Sequence, residues 1–166
     1  MASQIACVRI YPLSIPLRHT FRHAAHVRRE ADPVVVQIEL ASGVVGYGET
    51  LPRSYVTGES PESVARAIRE DLLNDLLAFH PRNFAEALEH IDTLPTHNDH
   101  GELIIAARAG VELALIDAYS RYFHKTMNEV VGWFGIPGLG TPGSLNKIRY
   151  SAVLSGGNIR KLAYST

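Results

Sequence analysis

The stretch VVVQIELASGVVGYGE, residues 34–49, decides the fold because it reads as two strands joined by a short turn. Its first half ends in an alternation of apolar and polar side chains, which is typical of a strand with one buried face. The small residues Ala41-Ser42-Gly43 then turn the chain, and residues 44–49 read as the returning strand. The stretch therefore predicts a β-hairpin.

Upstream, residues 5–15 are rich in β-branched and apolar side chains and predict a further strand. With the hairpin it completes a three-stranded antiparallel sheet over residues 4–50. Pro12 and Pro16 indicate an edge position or the end of strand pairing, because proline has no N–H to donate. The intervening residues 17–32 are polar and rich in histidine, and they predict a loop.

After residue 50 the apolar side chains recur at helical spacing. Ser60 is a good N-cap and Pro61 suits the first helical position, so a helix is predicted from here to about residue 76. Asn83 and Glu86 have the spacing of a capping box, which predicts a second helix through residue 91.

The longest helix is predicted over residues 100–122, where Asp99 and Glu102 form another capping box at its start. Asp117 lies among apolar neighbours and is expected to pair with Arg121, four residues on. The rest of the chain predicts shorter segments, which are a helical turn at 127–134, a glycine-rich loop, a strand at 148–154 and the start of a helix at 159–166.

The composition excludes several classes of protein. A formal net charge of −1 over 166 residues provides no basic surface for nucleic acid. No apolar run reaches the roughly 20 residues needed to cross a membrane, and the first nine residues do not resemble a secretory leader. Cys7 is the single cysteine, so no internal disulfide can form. We therefore expect a cytoplasmic protein with neither nucleic acid nor a membrane as partner.

Four segments, in a fixed order, carry a resemblance to a known family. They are the opening strand at residues 10–17, the Gly-x-Gly-Glu ending at 46–49, the Pro-Arg-x-Tyr-Val-Thr-Gly-Glu loop at 52–59 and the alanine-rich helix at 106–119. Together they resemble the N-terminal capping domain of the enolase superfamily, in its mandelate racemase/muconate lactonizing enzyme branch. The loop at 52–59 is similar to that of the muconate-lactonizing and dipeptide-epimerase members.

The resemblance implies an α+β fold of the enolase N-terminal type, in which a three-stranded antiparallel β-meander precedes an antiparallel helical bundle. It divides the chain into a capping domain at residues 1–134, with its sheet at 4–50 and its helices at 60–134, and a linker with the start of a (β/α) barrel at 135–166. The strand at 148–154 is then an orphan first barrel strand, and the chain is expected to be truncated before the rest of the barrel.

The chemistry that the resemblance implies is Mg²⁺-dependent proton abstraction next to a carboxylate, as in isomerases, cycloisomerases and lyases of this superfamily. In that family the bases and the Mg²⁺ ligands lie on later barrel strands, and no Lys-x-Lys pair occurs in this sequence. We therefore expect no catalytic residue, metal ligand or cofactor in this chain, Mg²⁺ only with the barrel domain, and no activity from the chain alone. The expected partners are the missing barrel domain or a second copy, and a small carboxylate substrate in the full-length family.

Two loops would cover the substrate if the resemblance holds. Arg53 would offer a bidentate contact to a substrate carboxylate, and Tyr55 an aromatic wall. The candidate substrate-binding residues are His19, Phe21, His23, His26, Arg53, Tyr55 and Val56. Three plainer interpretations are also open: a mobile polar loop at 17–32, pairing of Arg53 with a nearby acid, and packing of Tyr55 on the helix that begins near Ser60.

Other functions compete with the capping role. A stand-alone oligomeric binding or assembly module would cover the apolar faces that a lost barrel leaves exposed. His19, His23 and His26 would suit a histidine-based metal protein, although their spacing fits no standard zinc pattern. Residues 97–102 look like a ligand cluster but fit a helix start better. Glu49 is expected to accept backbone N–H bonds from the loop that follows it.

Overall fold

The computed structural model describes residues 2–23 and 26–133, and in this part five strands precede five helices. The strands are β1 (Ile5–Pro12), β2 (Ile15–His23), β3 (His26–Ala31), β4 (Val34–Leu40) and β5 (Val45–Thr50). The helices are α1 (Pro61–Ala67), α2 (Leu73–Ala78), α3 (Phe84–Asp92), α4 (Ile105–Tyr122) and α5 (Met127–Trp133), with a π-helical turn (Ile68–Leu72) joining α1 to α2. This order confirms the predicted α+β fold.

The predicted three-stranded antiparallel sheet is confirmed as β1, β4 and β5, with β4 in the centre. Ile10 lies opposite Val36, and Ile38 lies opposite Gly46, and alternate residues of β4 place its four buried apolar side chains on one face. Helices then cover this face, which makes the chain a sheet packed on a helical layer.

The prediction of a loop at residues 17–32 is wrong, because β2 and β3 form a second, two-stranded sheet there. The predicted first strand is also divided, since β1 ends at Pro12 and β2 begins at Ile15. The side chains of β2 that the structure describes are exposed on both faces, so no buried stripe marks the strand in the sequence. We call this element the β2–β3 hairpin.

The core lies between β4 and the helices. The fully buried side chains of the central strand are Val34, Val36, Ile38 and Leu40. They pack against α4, which contributes Val111 and Leu115 from its apolar face. Burying one such side chain stabilises the fold by about 1.5–3 kcal/mol, so this layer fixes the sheet on the long helix.

Two glycines of β5 set the distance between the sheet and α4. A Cβ atom added at Gly46 would lie 2.2 Å from the backbone nitrogen of Ala118, and one at Gly48 would lie 2.1 Å from the carbonyl oxygen of Gly110. No side chain fits at such distances, so the Gly-x-Gly sequence is required for packing. The small residues of the helix make the same close approach possible from the other side.

Two of the predicted helix starts are confirmed. Ser60 caps α1, since its hydroxyl accepts the N–H of Ser63 and the Ser63 hydroxyl accepts the N–H of Ser60. Asn83 caps α3 by accepting the N–H of Glu86 at 3.0 Å. In both cases the signal is local in the sequence: Ser60 stands before Pro61, and Asn83 has its partner three residues on.

The predicted start of the longest helix is wrong, because α4 begins at Ile105 rather than near residue 100. Asp99 and Glu102 make no capping box there. Instead, Asn98 Oδ1 accepts the N–H groups of His100 and Glu102 and closes a turn. An Asx-type turn offers the backbone an alternative to helix, which delays the start of α4.

The remaining predictions for the end of the chain have different outcomes. The helical turn predicted at 127–134 is present as α5. The glycine-rich loop, the strand at 148–154 and the helix start at 159–166 lie outside the described residues. The division of the chain into a cap and the beginning of a barrel therefore stays a prediction. Among the described residues, no helix has both the length and the apolar character that a membrane span needs.

Candidate substrate-covering site

The two segments predicted to cover a substrate lie side by side. One is the β2–β3 hairpin and the other is the loop at residues 51–59, called here the 51–59 loop. Asp32 directly follows the hairpin, and Arg53 Nη1 donates a hydrogen bond to Asp32 Oδ1 at 2.8 Å. This ion pair therefore joins the end of the hairpin to the 51–59 loop.

A second contact crosses between the same two segments. Arg28 of β3 has its guanidinium carbon 5.9 Å from the centroid of the Tyr55 ring, within reach of a cation–π interaction. Arg28 Nη1 also donates to Asp32 Oδ1 at 3.4 Å. Arg28 and Asp32 were not among the predicted site residues, because their partners lie on the other segment.

Arg53 is only 13% exposed, and its guanidinium is engaged within its own chain. Besides Asp32, the same nitrogen donates to the carbonyl oxygen of Pro52 at 2.9 Å. The predicted alternative, pairing of Arg53 with a nearby acid, is therefore what the structure contains. Contact of Arg53 with a substrate carboxylate stays a prediction.

The backbone of the 51–59 loop is a turn built on Arg53. Its carbonyl oxygen accepts the N–H groups of Val56 at 2.8 Å and Thr57 at 2.9 Å. This turn leaves Tyr55 and Val56 pointing away from the core, with Val56 70% exposed. Tyr55 therefore contacts Arg28 rather than being buried on α1.

The joined segments expose apolar side chains to solvent. Besides Val56, the most exposed are Val27 at 60% and Phe21 at 56%, and these two lie on opposite faces of the hairpin, since Phe21 pairs with Arg28 and Val27 pairs with Arg22. The further exposed apolar side chains of the two segments are Ile15, Leu17, Leu51 and Tyr55. We call these exposed side chains together the exposed apolar surface of the two segments.

The predicted histidines lie on the hairpin. His19 is exposed on β2, while the backbones of His23 and His26 form the last pair of the hairpin. Among the residues whose side chains are described, no group of three or more histidine, cysteine or acidic side chains converges to hold a metal ion. Metal binding by the three histidines stays a prediction.

Glu59, at the end of the 51–59 loop, is a functional part of the scaffold that the sequence pattern did not reveal. It is 5% exposed, and its carboxylate accepts the N–H of Ala106 at 2.8 Å and that of Ala107 at 3.2 Å. The charge thus caps the start of α4, where free N–H groups and the helix dipole favour an anion. This contact fixes the 51–59 loop to the longest helix.

Asp117 has a double role beside the edge strand β5. It pairs with Arg121 at 2.8 Å, as predicted, and its other oxygen accepts the N–H of Tyr47 at 2.9 Å. A groove of about 490 Å³ runs past these residues and Met127. Glu49 also lines this groove, is exposed and accepts no hydrogen bond among the described residues, so its predicted contact with the following loop is wrong.

Comparison with known proteins supplies the family. The family described as "Mandelate racemase / muconate lactonizing enzyme, N-terminal domain" matches residues 6–132. An aromatic dipeptide epimerase of Herpetosiphon aurantiacus is 30% identical over 132 residues, which are 80% of this chain and 35% of that protein. An L-Ala-D/L-Glu epimerase of Bacillus subtilis is 30% identical over 122 residues, covering 74% of this chain and 32% of the relative.

The fold has matching solved structures. The dipeptide epimerase of Methylococcus capsulatus, solved with Mg and the dipeptide L-Arg-D-Lys, superimposes with a TM-score of 0.62 at 28% identity. That match covers 78% of this chain and 35% of the epimerase chain. The chain therefore spans about a third of the length of these relatives.

Proposed function

Since this chain belongs to the mandelate racemase/muconate lactonizing enzyme family, as a match to its N-terminal domain, we propose that it caps the active site of an enzyme of the dipeptide-epimerase type. Several of its relatives are named as epimerases or racemases of dipeptides or amino-acid derivatives. The observation that carries the proposal is the joined pair formed by the β2–β3 hairpin and the 51–59 loop, with its exposed apolar surface.

In this proposal the chain covers the substrate and does no proton transfer itself. The proposal places the bases and the Mg²⁺ ligands in a barrel domain that works with this one, since the chain spans only about a third of the length of its epimerase relatives. Covering a reaction site excludes water and strengthens the electrostatic interactions inside it. The cap would also select substrates by shape, as closing loops do in other enzymes.

The residues proposed to meet the substrate follow from exposure and position. Phe21, Tyr55 and Val56 present apolar surface, and His19 adds a polar group on β2. Their chemistry favours a dipeptide with at least one apolar side chain, held by its carboxylate elsewhere in the enzyme. His23, His26 and Arg53 complete the proposed set, carried over from the resemblance to the family rather than from their exposure.

The first test uses the chain alone. Purified protein is incubated with Mg²⁺ and a set of dipeptides in D₂O, and ¹H NMR follows exchange of the α-proton. We expect no exchange above the rate without protein. Mg²⁺-dependent exchange that survives repurification would contradict the proposal that the bases lie elsewhere.

The second test supplies the missing part. Residues 2–133 replace the matching third of the Herpetosiphon aromatic dipeptide epimerase, and the remaining two thirds of that relative alone serve as the control. We expect the chimera, but not the control, to exchange the α-protons of dipeptides. Equal activity in both proteins would show that the chain is not needed as a cap.

A second function, association of the chain with copies of itself, draws on the same exposed apolar surface. Sedimentation velocity distinguishes it from the capping role. A stable oligomer that dissociates when Phe21 and Val56 are both replaced by Ser would favour assembly through this surface. A monomer that the double substitution leaves unchanged would favour the capping role.

A further inference from the structure

We infer that Asp32 is a positioning residue that couples the β2–β3 hairpin to the 51–59 loop, so that the two segments keep one arrangement and move together. The inference rests on the proposed function for what the segments cover, but the coupling itself is a property of this chain. In this inference Arg53 does not contact the substrate but positions Tyr55 and Val56.

Asp32 stands at a fixed point of the backbone. It precedes Pro33, and the residue before a proline is restricted to extended conformations. Pro33 is buried, and its carbonyl oxygen accepts the N–H of Leu13 at 2.9 Å. This bond joins the two ends of the hairpin at its base, so the Asp32 carboxylate is presented from a rigid position.

Arg53 is fixed on the other side. Its side chain donates to both Asp32 and Pro52, while its carbonyl oxygen accepts two N–H groups of its own turn. A charged hydrogen bond is shorter and stronger than a neutral one, and here the arginine side is largely shielded from solvent. Moving the hairpin away from the loop would therefore break the shorter of the two hydrogen bonds from arginine that Asp32 accepts and would leave the shielded Arg53 without its acid.

Arg28 adds a second crossing to the coupling. It donates to Asp32, which directly follows the hairpin, and its guanidinium lies over the Tyr55 ring of the loop, so the two crossings share one network. Arg28 and Arg53 thus both donate to the carboxylate of Asp32, which makes this residue the centre of the network.

The test measures backbone hydrogen exchange of the 166-residue chain by NMR or mass spectrometry. In Asp32→Ala we expect exchange to accelerate roughly five- to tenfold in the hairpin and in the 51–59 loop together, because one charged hydrogen bond and its partner contact are lost. Amides of β4 and α4 should keep their wild-type rates. Asp32→Glu, which retains the charge, should restore most of the protection.

A matched control removes an ion pair of similar length elsewhere. Arg9 and Glu39 pair at 2.7 Å on the exposed face of the sheet, and neither residue belongs to the two segments. Glu39→Gln should leave exchange in the hairpin and in the 51–59 loop unchanged. Acceleration there by Glu39→Gln would show that the effect is general loosening and would overturn the inference.

A double-mutant cycle separates coupling from independent damage. Arg53→Met retains the aliphatic stem and should accelerate both segments as Asp32→Ala does. The double variant should exceed neither single variant by more than about twofold, since both remove the same interaction. Additive effects, or acceleration of only one segment, would overturn the inference. None of these measurements uses substrate, so an inactive chimera would count against the proposed function alone.

Discussion

At the residue scale, Glu59 caps the longest helix, whereas the predicted capping box of Asp99 and Glu102 does not. Its carboxylate accepts two N–H groups at the start of α4 from a position 47 residues earlier than Ala106. Because the carboxylate is buried, a neutral amide in its place would accept more weakly and would turn an N–H₂ group toward other donors. We predict that Glu59→Gln lowers the free energy of unfolding by about 1–3 kcal/mol. Urea denaturation followed by circular dichroism measures the difference.

Glu102 is the matched control for Glu59, because it is the acid of the predicted box and lies in the same region. It is exposed, and within the described part of the chain its side chain accepts only the amide of Asn98, at 2.9 Å. Glu102→Gln should change the free energy of unfolding by less than about 0.5 kcal/mol. Equal losses in the two variants would mean that α4 is capped by the local box after all.

At the scale of the elements, the contact between β5 and α4 is made almost without side chains. A methyl group at Gly48 would meet the carbonyl oxygen of Gly110 and the backbone nitrogen of Ala114, and neither atom can move without moving the helix. We predict that Gly48→Ala lowers the free energy of unfolding by about 1–3 kcal/mol or more, as overpacking does. Thermal and urea unfolding both report it.

Gly132 in α5 provides the comparison, since a Cβ atom there meets nothing within 4 Å. Gly132→Ala should be neutral or should stabilise by up to about 1 kcal/mol, because alanine favours a helix over glycine. A destabilisation equal to that of Gly48→Ala would show that glycine flexibility, and not the close approach of strand and helix, explains the motif.

The elements that could be predicted from the sequence are those whose signals are local. The alternation of β4 and the short turn before β5 predict that strand pair, and Ser60 and Asn83 each cap the helix that begins at the next residue. The β2–β3 hairpin could not be predicted, because strands exposed on both faces carry no buried stripe. The start of α4 could not be predicted either, because the side chain that caps it, Glu59, lies 47 residues earlier than Ala106.

The same distinction holds for the candidate site. Arg53 and Tyr55 could be named from a short motif that resembles a family loop. Asp32 and Arg28 could not, because the contact between Asp32 and Arg53 joins residues 21 positions apart. Local patterns identify the segments, whereas the contact that positions them follows only from the folded chain.

At the scale of the whole molecule, an aromatic cluster ties the helices to one another. The His90 ring of α3 stacks on Phe79 with centroids 3.8 Å apart, and Phe79 meets Tyr119 of α4 edge-on at 6.3 Å. Phe79 follows α2, so the cluster joins three helices. A charge placed on the His90 ring would therefore affect the stability of the whole bundle.

Burial lowers the pKa of His90 because the charged ring loses hydration, and the nearby carboxylate of Asp75 offsets this only in part. The folded chain thus holds a neutral ring at a pH where the unfolded chain, with a pKa of about 6.5, takes up a proton. Stability from this group is complete above that pH and falls as the pH drops through it, because the unfolded state then binds more protons. We predict that unfolding free energies measured between pH 8 and 5 decline less steeply in His90→Phe, which keeps the stacking, than in the wild type. A slope that His90→Phe leaves unchanged would place the acid sensitivity elsewhere in the chain.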